Sequence, residues 1–272
     1  MRQHLEIART AALAVLSLAV VACRGVAPTQ PATTAAPVEL VVAAAASLRD
    51  ALTQAADRYE HAYPGVRIRL DFDASSALRT QIEQGAPIDV FLSADTSNPQ
   101  QLVDHRLAAA PVTTIAHNRL VIVVPRASPI VVKTPLDLAR KGVKLVAAAA
   151  DVPISNYTAQ LIGQLARQPG YPANYADRVA ANVVSREDNV RAIVAKVALG
   201  EGDAGVVYAT DAAGASVGTV EIPAAANVTA TYGGATVAAS AHPAEAATFL
   251  RWLAGPAGQA VLASFGFLPA TG

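Results

Sequence analysis

The stretch ELVVAAAASLRDALTQAADRYEHAYPGVRIRLDF, residues 39–72, contains the pattern that decides the fold. Residues 39–45 form an apolar run typical of a buried strand, and residues 47–63, which follow, favour a helix. Residues 66–72 then alternate apolar and polar side chains, which predicts a second strand. Two strands joined through a helix form a βαβ unit, in which the strands run parallel.

The same alternation of strand and helix continues along the chain. Further strands are predicted at 89–93, 120–125, 144–148 and 204–208, and further helices at 75–84, 153–167, 189–199, 243–253 and 255–265. The order predicts an α/β fold with mainly parallel sheets flanked by helices.

The composition excludes several classes of function. The 272 residues allow one large domain or two small ones. Lys and Arg together number 21, as do Asp and Glu, so the zero net charge offers no long-range attraction for nucleic acid or an acidic membrane surface. A single Cys excludes a disulfide framework and paired-cysteine zinc or redox motifs, and the five histidines lack metal-ligand spacing. We expect neither a nucleic-acid partner nor a cofactor.

The N-terminal segment has the features of a targeting signal and a tether. Arg2 and Arg9 lie in a short basic opening, and the apolar run at 11–22 is too short to span a membrane but fits the core of a signal peptide. The run ends in Val-Val-Ala-Cys, which resembles a bacterial lipobox; the alternative is an ordinary secretory signal with a chance Cys. We predict a lipoprotein signal peptide at 1–22, lipidation of Cys23, and a flexible tether at 23–37. The protein would then be extracytoplasmic, with a lipid anchor as its only contact with the membrane.

Four predicted helices begin directly after a strand with residues suited to an anion. These starts are Ser47, Ser75, Pro153 and the segment 185–190. Because the carboxyl ends of parallel strands meet at one edge of a sheet, the four helix starts are expected to lie together. Each N-terminus carries roughly half a positive charge, so four supply about +2, which matches a dianion without any Lys or Arg. The alternative is that each is an ordinary cap, which stabilises its own helix by ~1 kcal/mol.

Five segments of this sequence resemble the molybdate-binding proteins of ABC transporters, and the similarity covers nearly all of residues 38–267. The segments are 41–48, 74–78, 81–95, 187–191 and 205–211, of which IEQGAPIDVFLSAD at 82–95 is the most specific.

The resemblance implies a two-lobed type II periplasmic-binding-protein fold. Each lobe would be a mixed, mainly parallel sheet flanked by helices, with the ligand in the cleft between the lobes. Lobe one would comprise residues 38–118 and 218–272, and lobe two residues 119–217, with 120–125 as the first strand of lobe two.

The resemblance also implies which residues hold the ligand, molybdate bound as an oxyanion. Ser47 and Ser75 would donate hydroxyl and backbone N–H groups from lobe one, with Ser76 as the alternative side-chain donor beside Ser75. Lobe two would supply the backbone N–H groups of Ile154 and Val190 and the phenol hydroxyl of Tyr208.

The implied function is that of a monomeric solute-binding lipoprotein, not an enzyme. It would capture molybdate, or tungstate as a close competitor, and deliver it to an ABC transporter permease. One alternative is a binder of sulfate or phosphate, for which Asp151 or Asp188 would accept the proton of phosphate. Another is a secreted hydrolase with Ser47 or Ser75 as nucleophile, although neither serine has a recognisable His partner in the sequence.

Overall fold

The computed structural model describes residues 37–127 and 132–270. The predicted signal peptide and Cys23 lie outside these residues, as does the predicted tether apart from Pro37. Within the described residues, no helix is both long and apolar enough to cross a membrane.

Strands and helices alternate along the described chain. The strands are β1 Val38–Ala45, β2 Val66–Asp73, β3 Val90–Ser93, β4 Thr113–Pro125, β5 Leu145–Ala148, β6 Val183–Glu187, β7 Ala204–Tyr208, β8 Val217–Val220 and β9 Thr229–Thr236. The α-helices are α1 Arg49–Ala62, α2 Ser75–Glu83, α3 Ser97–Asp104, α4 Pro153–Leu165, α5 Tyr175–Ala181, α6 Val190–Ala198, α7 Ala209–Ala212, α8 Pro243–Ala254 and α9 Pro256–Ser264, with 3₁₀ turns at Ala46–Leu48 and Pro135–Ala139.

The strands pair in the order β2-β1-β3-β9-β4-β7-β5-β6, and β8 pairs with β4. Around β1 the pairs are parallel, as they are around β5, whereas the pairs between them that involve β9, β4, β7 and β8 are antiparallel. We call β1, β2, β3 and β9 half-sheet one, and β5, β6, β7 and β8 half-sheet two. The mixed sheet with flanking helices confirms the predicted α/β class.

Strand β4 belongs to both half-sheets. Its residues from Thr113 to Arg119 pair with β9, and those from Leu120 to Pro125 pair with β7 and β8. The sequence predicts only 120–125, because the polar residues of TTIAHNR hide the extension from the apolar pattern. One continuous strand therefore connects the two half-sheets.

Strand β9, TATYGGAT, has no strand signal in the sequence because two glycines interrupt it. Close packing around this strand requires a glycine at position 234. A Cβ on Gly234 would lie 2.7 Å from Cδ1 of Leu250 and 2.9 Å from Cδ2 of Leu92. Close packing of α8 and β3 against β9 thus requires a residue without a side chain at this position.

The residues predicted as one helix at 47–63 form two elements. A 3₁₀ turn, Ala46–Leu48, precedes α1, and all three of its residues are buried. Helix α1 buries the face that carries Leu52 and Tyr59, and the Tyr59 ring lies edge-on to Phe249 and Trp252 at centroid distances of 5.0 and 5.2 Å. These aromatic contacts hold the C-terminal end of α1 against α8.

Candidate functional site

The helix starts that follow β1, β2, β5 and β6 converge on one cavity between the two half-sheets. The empty space between its lining atoms, together with the part that is open to solvent, is about 230 Å³. All five predicted site residues line it and all are buried: Ser47, Ser75, Ile154, Val190 and Tyr208. Ser76 and the alternative acceptors Asp151 and Asp188 are not among the residues that line it.

The lining carries little formal charge. Its other members are Ala45, Ala46, Asp73, Ala74, Ala94, Val152, Pro153 and Asn189, so within the described part of the chain no Lys or Arg borders the cavity. Among the described residues that line the cavity, Asp73 is the one acidic residue, and its Oδ1 accepts the N–H of Ala74 at 2.7 Å. The sequence reasoning missed Asp73 and Asn189 as lining residues.

The two serine hydroxyls are oriented by donors from the surrounding protein. Tyr232 donates its phenol hydroxyl to Oγ of Ser47 at 3.0 Å, and the N–H of Ala94 donates to Oγ of Ser75 at 3.0 Å. Because each serine oxygen already accepts a hydrogen bond, each serine keeps its own O–H to donate. No hydrogen bond joins either serine to a histidine among the described residues, so neither has the base that a nucleophile needs.

Tyr208 presents a buried hydroxyl to the cavity. Its Oη has no hydrogen-bond partner among the described residues. Burial raises the pKa of the Tyr208 phenol well above 10.0, so the hydroxyl stays protonated and acts as a donor. A buried unpaired hydroxyl is costly, so a donor of this kind needs an acceptor from outside the described residues.

The backbone adds donors that their own helices cannot satisfy. Ser75 and Val190 are the first residues of α2 and α6, and Ile154 is the second residue of α4. N–H groups in the first turn of a helix have no acceptor within that helix. Within the described residues, no side-chain cap is formed at the starts of the 3₁₀ turn Ala46–Leu48, α1, α2 and α4. Asn189, in contrast, caps α6 by accepting the N–H of Ala192 at 3.1 Å. The two serines are therefore not the ordinary caps of the alternative interpretation.

An ionic network lies directly behind the residues of the site. Arg191 Nη2 lies 2.6 Å from Asp50 Oδ2, and Arg191 Nε lies 3.2 Å from Oδ1 of the fully buried Asp211. Arg191 Nε and Asp211 Oδ1 are close enough to form an ion pair, but their geometry does not meet that of a hydrogen bond. Burial raises the pKa of Asp211 to about 7; Arg191 opposes this shift and Asp50 adds to it. The sequence showed no signal for this network, because burial of Asp211 depends on tertiary packing.

We expect Asp211→Asn to make stability less dependent on pH. Between the unfolded pKa of 3.8 and the folded pKa of about 7, the folded protein holds a proton that the unfolded chain releases. The free energy of unfolding therefore falls as pH rises through this window. From pH 5 to pH 8 the variant should lose ~2 kcal/mol less than the wild type, measured by urea denaturation. In the exposed control Asp57→Asn, the free energy of unfolding should depend on pH as it does in the wild type. The same pH dependence in Asp211→Asn would contradict the raised pKa of Asp211.

The described residues contain no cluster of side chains that could bind a metal ion. Across residues 37–127 and 132–270, no group of three or more His, Cys, Asp or Glu is placed to hold a metal ion.

Comparison with known proteins identifies the family. The family model described as bacterial extracellular solute-binding protein matches residues 40–268. The chain belongs to this family of solute-binding proteins. Its members act in transport outside the cytoplasm and are not enzymes, which confirms the predicted class of protein.

Relatives of this solute-binding protein include proteins named for molybdate. The molybdate-binding protein ModA of Mycobacterium tuberculosis is 34% identical over 230 residues, which cover 84% of each chain. The substrate-binding domain of a putative molybdenum ABC transporter from Clostridium difficile is 28% identical, with a TM-score of 0.64 and coverage of 85% of this chain and 99% of that one. The Azotobacter vinelandii periplasmic molybdate-binding protein has the same fold, with a TM-score of 0.72, 23% identity and coverage of 84% and 98%.

Proposed function

We propose that this solute-binding protein captures molybdate, with tungstate as a close competitor, and delivers it to an ABC transporter permease. The observation that carries the proposal is the convergence of donors from both half-sheets on one cavity. These donors are the hydroxyls of Ser47, Ser75 and Tyr208 and the backbone N–H groups of Ile154 and Val190. The names of the relatives from Mycobacterium tuberculosis and Clostridium difficile support the same ligand.

The donors match a fully deprotonated dianion. Helix N-termini carry partial positive charge, and first-turn N–H groups are directed donors, so they balance a double negative charge without a cationic side chain. Molybdate carries no proton at neutral pH and needs only donors. Phosphate keeps a proton and needs an acceptor, but Asp151 and Asp188 do not border the cavity and Oδ1 of Asp73 already accepts the N–H of Ala74. Molybdate therefore fits the donor set better than phosphate does.

We propose that the half-sheets belong to two lobes that close on the ligand. Lobe one would hold residues 38–118 together with the C-terminal part of the chain, and lobe two would begin at 119. At this point in β4, pairing with β9 ends and pairing with β7 begins. Because β8 pairs with residues 122–125 of β4, we now propose that lobe two extends to Val220 rather than ending at 217. Donors from both lobes reach one guest only in the closed form, so the ligand would shift the population towards closure.

The anchor belongs to the same proposal. Cleavage after residue 22 would leave Cys23 as a lipid-modified first residue, and the segment 23–37 would tether a monomeric binding protein to the membrane. In cells given a labelled fatty acid, we expect label in the wild-type protein and none in Cys23→Ala. Label retained in that variant would place the modification elsewhere.

A thermal-shift panel with molybdate, tungstate, sulfate and phosphate tests the ligand. A ligand that binds only the folded state stabilises it by about 2.7 kcal/mol at a hundred times its Kd. We expect molybdate and tungstate to raise the unfolding midpoint by roughly 5–10 °C, and sulfate and phosphate at equal concentration to leave it nearly unchanged. A shift with sulfate or phosphate but not with molybdate would reject the proposal in favour of another oxyanion.

A further inference from the structure

Beside the cavity, an ion pair joins helix α1, which follows β1 of half-sheet one, to helix α6, which follows β6 of half-sheet two. Asp50 lies in the first turn of α1, three residues after Ser47, and Arg191 directly follows Val190 in α6. The distance between Arg191 Nη2 and Asp50 Oδ2 is 2.6 Å. The pair therefore connects two of the helix starts that supply donors to the cavity, one from each side.

The two ends of this ion pair are held differently. Arg191 is also in contact with Asp211, which is fully buried in α7 on its own side of the cavity. The Asp50 side chain is 58% exposed, and that of Arg191 is 33% exposed. Separation of the half-sheets would thus leave Arg191 with Asp211 and release Asp50 into water, where its carboxylate is readily solvated.

We propose that Asp50 and Arg191 form a latch that holds the closed form and slows release of the bound oxyanion. The latch rests on the proposed function, because it acts only if the lobes close on a ligand. Neither side chain borders the cavity, so both act by positioning the lobes, while Asp211 keeps Arg191 in place for the next closure.

The direction of the change in release rate distinguishes the latch from a simple effect of charge. An exposed ion pair contributes little, so loss of the latch should speed release about two- to five-fold. Removal of the negative charge of Asp50 near an anion would by itself favour retention and slow release. Faster release from Asp50→Asn is therefore the signature of a broken latch.

The chain offers a matched control. Glu39 and Arg69 form an exposed ion pair at 3.4 Å between β1 and β2, entirely within half-sheet one. Glu39→Gln removes a pair of similar exposure that does not join the half-sheets. Asp50→Glu keeps the carboxylate and serves as the conservative variant.

The test measures release of radiolabelled molybdate from the purified full chain after addition of excess unlabelled molybdate. We expect Asp50→Asn to release it about two- to five-fold faster than the wild type at low salt, with a smaller difference at high salt because the pair is screened. Glu39→Gln and Asp50→Glu should release it at close to the wild-type rate. The unfolding midpoint of the ligand-free protein should be the same in Asp50→Asn and Asp50→Glu as in the wild type, since the latch forms only on closure. Glu39→Gln should have nearly the same midpoint, because it removes only an exposed ion pair.

Each other outcome rejects a defined statement. If the wild type retains molybdate and Asp50→Asn releases it at the same rate or more slowly, the latch is wrong and the proposed function stands. If Glu39→Gln speeds release equally, the effect is one of surface charge and the latch is again wrong. If the wild type retains no molybdate, the proposed function fails and the latch fails with it.

Discussion

Tyr208→Phe is expected to weaken molybdate binding about 10- to 150-fold while leaving the folded protein at least as stable as the wild type. A hydrogen bond to a charged group contributes roughly 1.5–3 kcal/mol, which sets the loss of affinity. The Tyr208 hydroxyl is buried and has no protein partner within the described residues, so its removal breaks no hydrogen bond in the ligand-free protein. The variant thus separates binding from folding.

Tyr175→Phe is the matched control for this experiment. Tyr175, in α5, is also buried, but its hydroxyl donates to the carbonyl of Pro135 at 2.6 Å. Tyr175 does not border the cavity. This change should cost about 0.5–1.5 kcal/mol of stability and leave the affinity unchanged. Calorimetry gives the affinity, and urea denaturation gives the stability. Wild-type affinity in Tyr208→Phe would remove the Tyr208 hydroxyl from the site.

Local patterns predicted the helix starts that line the cavity, whereas the roles of Ile154, Val190 and Tyr208 were implied by the family resemblance. Strand β7 has the predicted bounds, 204–208, and ends at Tyr208. Ser47 and Ser75 could be located because each follows directly on a strand, and the edge of a parallel sheet then brings their helix starts together. The order of strand and helix along the chain, together with the parallel sheet, was sufficient to predict that these two helix starts lie close together.

The parts that the sequence missed depend on contacts between distant residues. Tyr232 is 185 positions from Ser47 and lies in β9, whose glycines conceal the strand. Nothing near Ser47 in the sequence indicates that its hydroxyl oxygen will accept a hydrogen bond from a phenol. Likewise, the burial of Asp211 arises from the packing of α6 and α7 and has no local pattern. The sequence predicted residues that line the cavity, and the structure was needed to find those that orient them.

Ser47→Ala should also weaken molybdate binding about 10- to 150-fold, because it removes one donor to a charged ligand. Tyr232 offers a way to test how that donor is oriented. In Tyr232→Phe, Ser47 loses the phenol that donates to its Oγ at 3.0 Å, and its hydroxyl is free to turn towards other acceptors. The affinity of this variant should fall by less than that of Ser47→Ala, because the serine hydroxyl is still present.

The double variant decides whether Tyr232 acts through Ser47. If the phenol only orients the serine, its loss has no further consequence once the serine hydroxyl is gone, so Ser47→Ala with Tyr232→Phe should bind molybdate as weakly as Ser47→Ala alone. Calorimetry on the two single variants and the double variant measures this coupling. Ser76→Ala, at a buried serine that does not border the cavity, should bind like the wild type. Losses that multiply in the double variant would show that Tyr232 affects binding independently of Ser47.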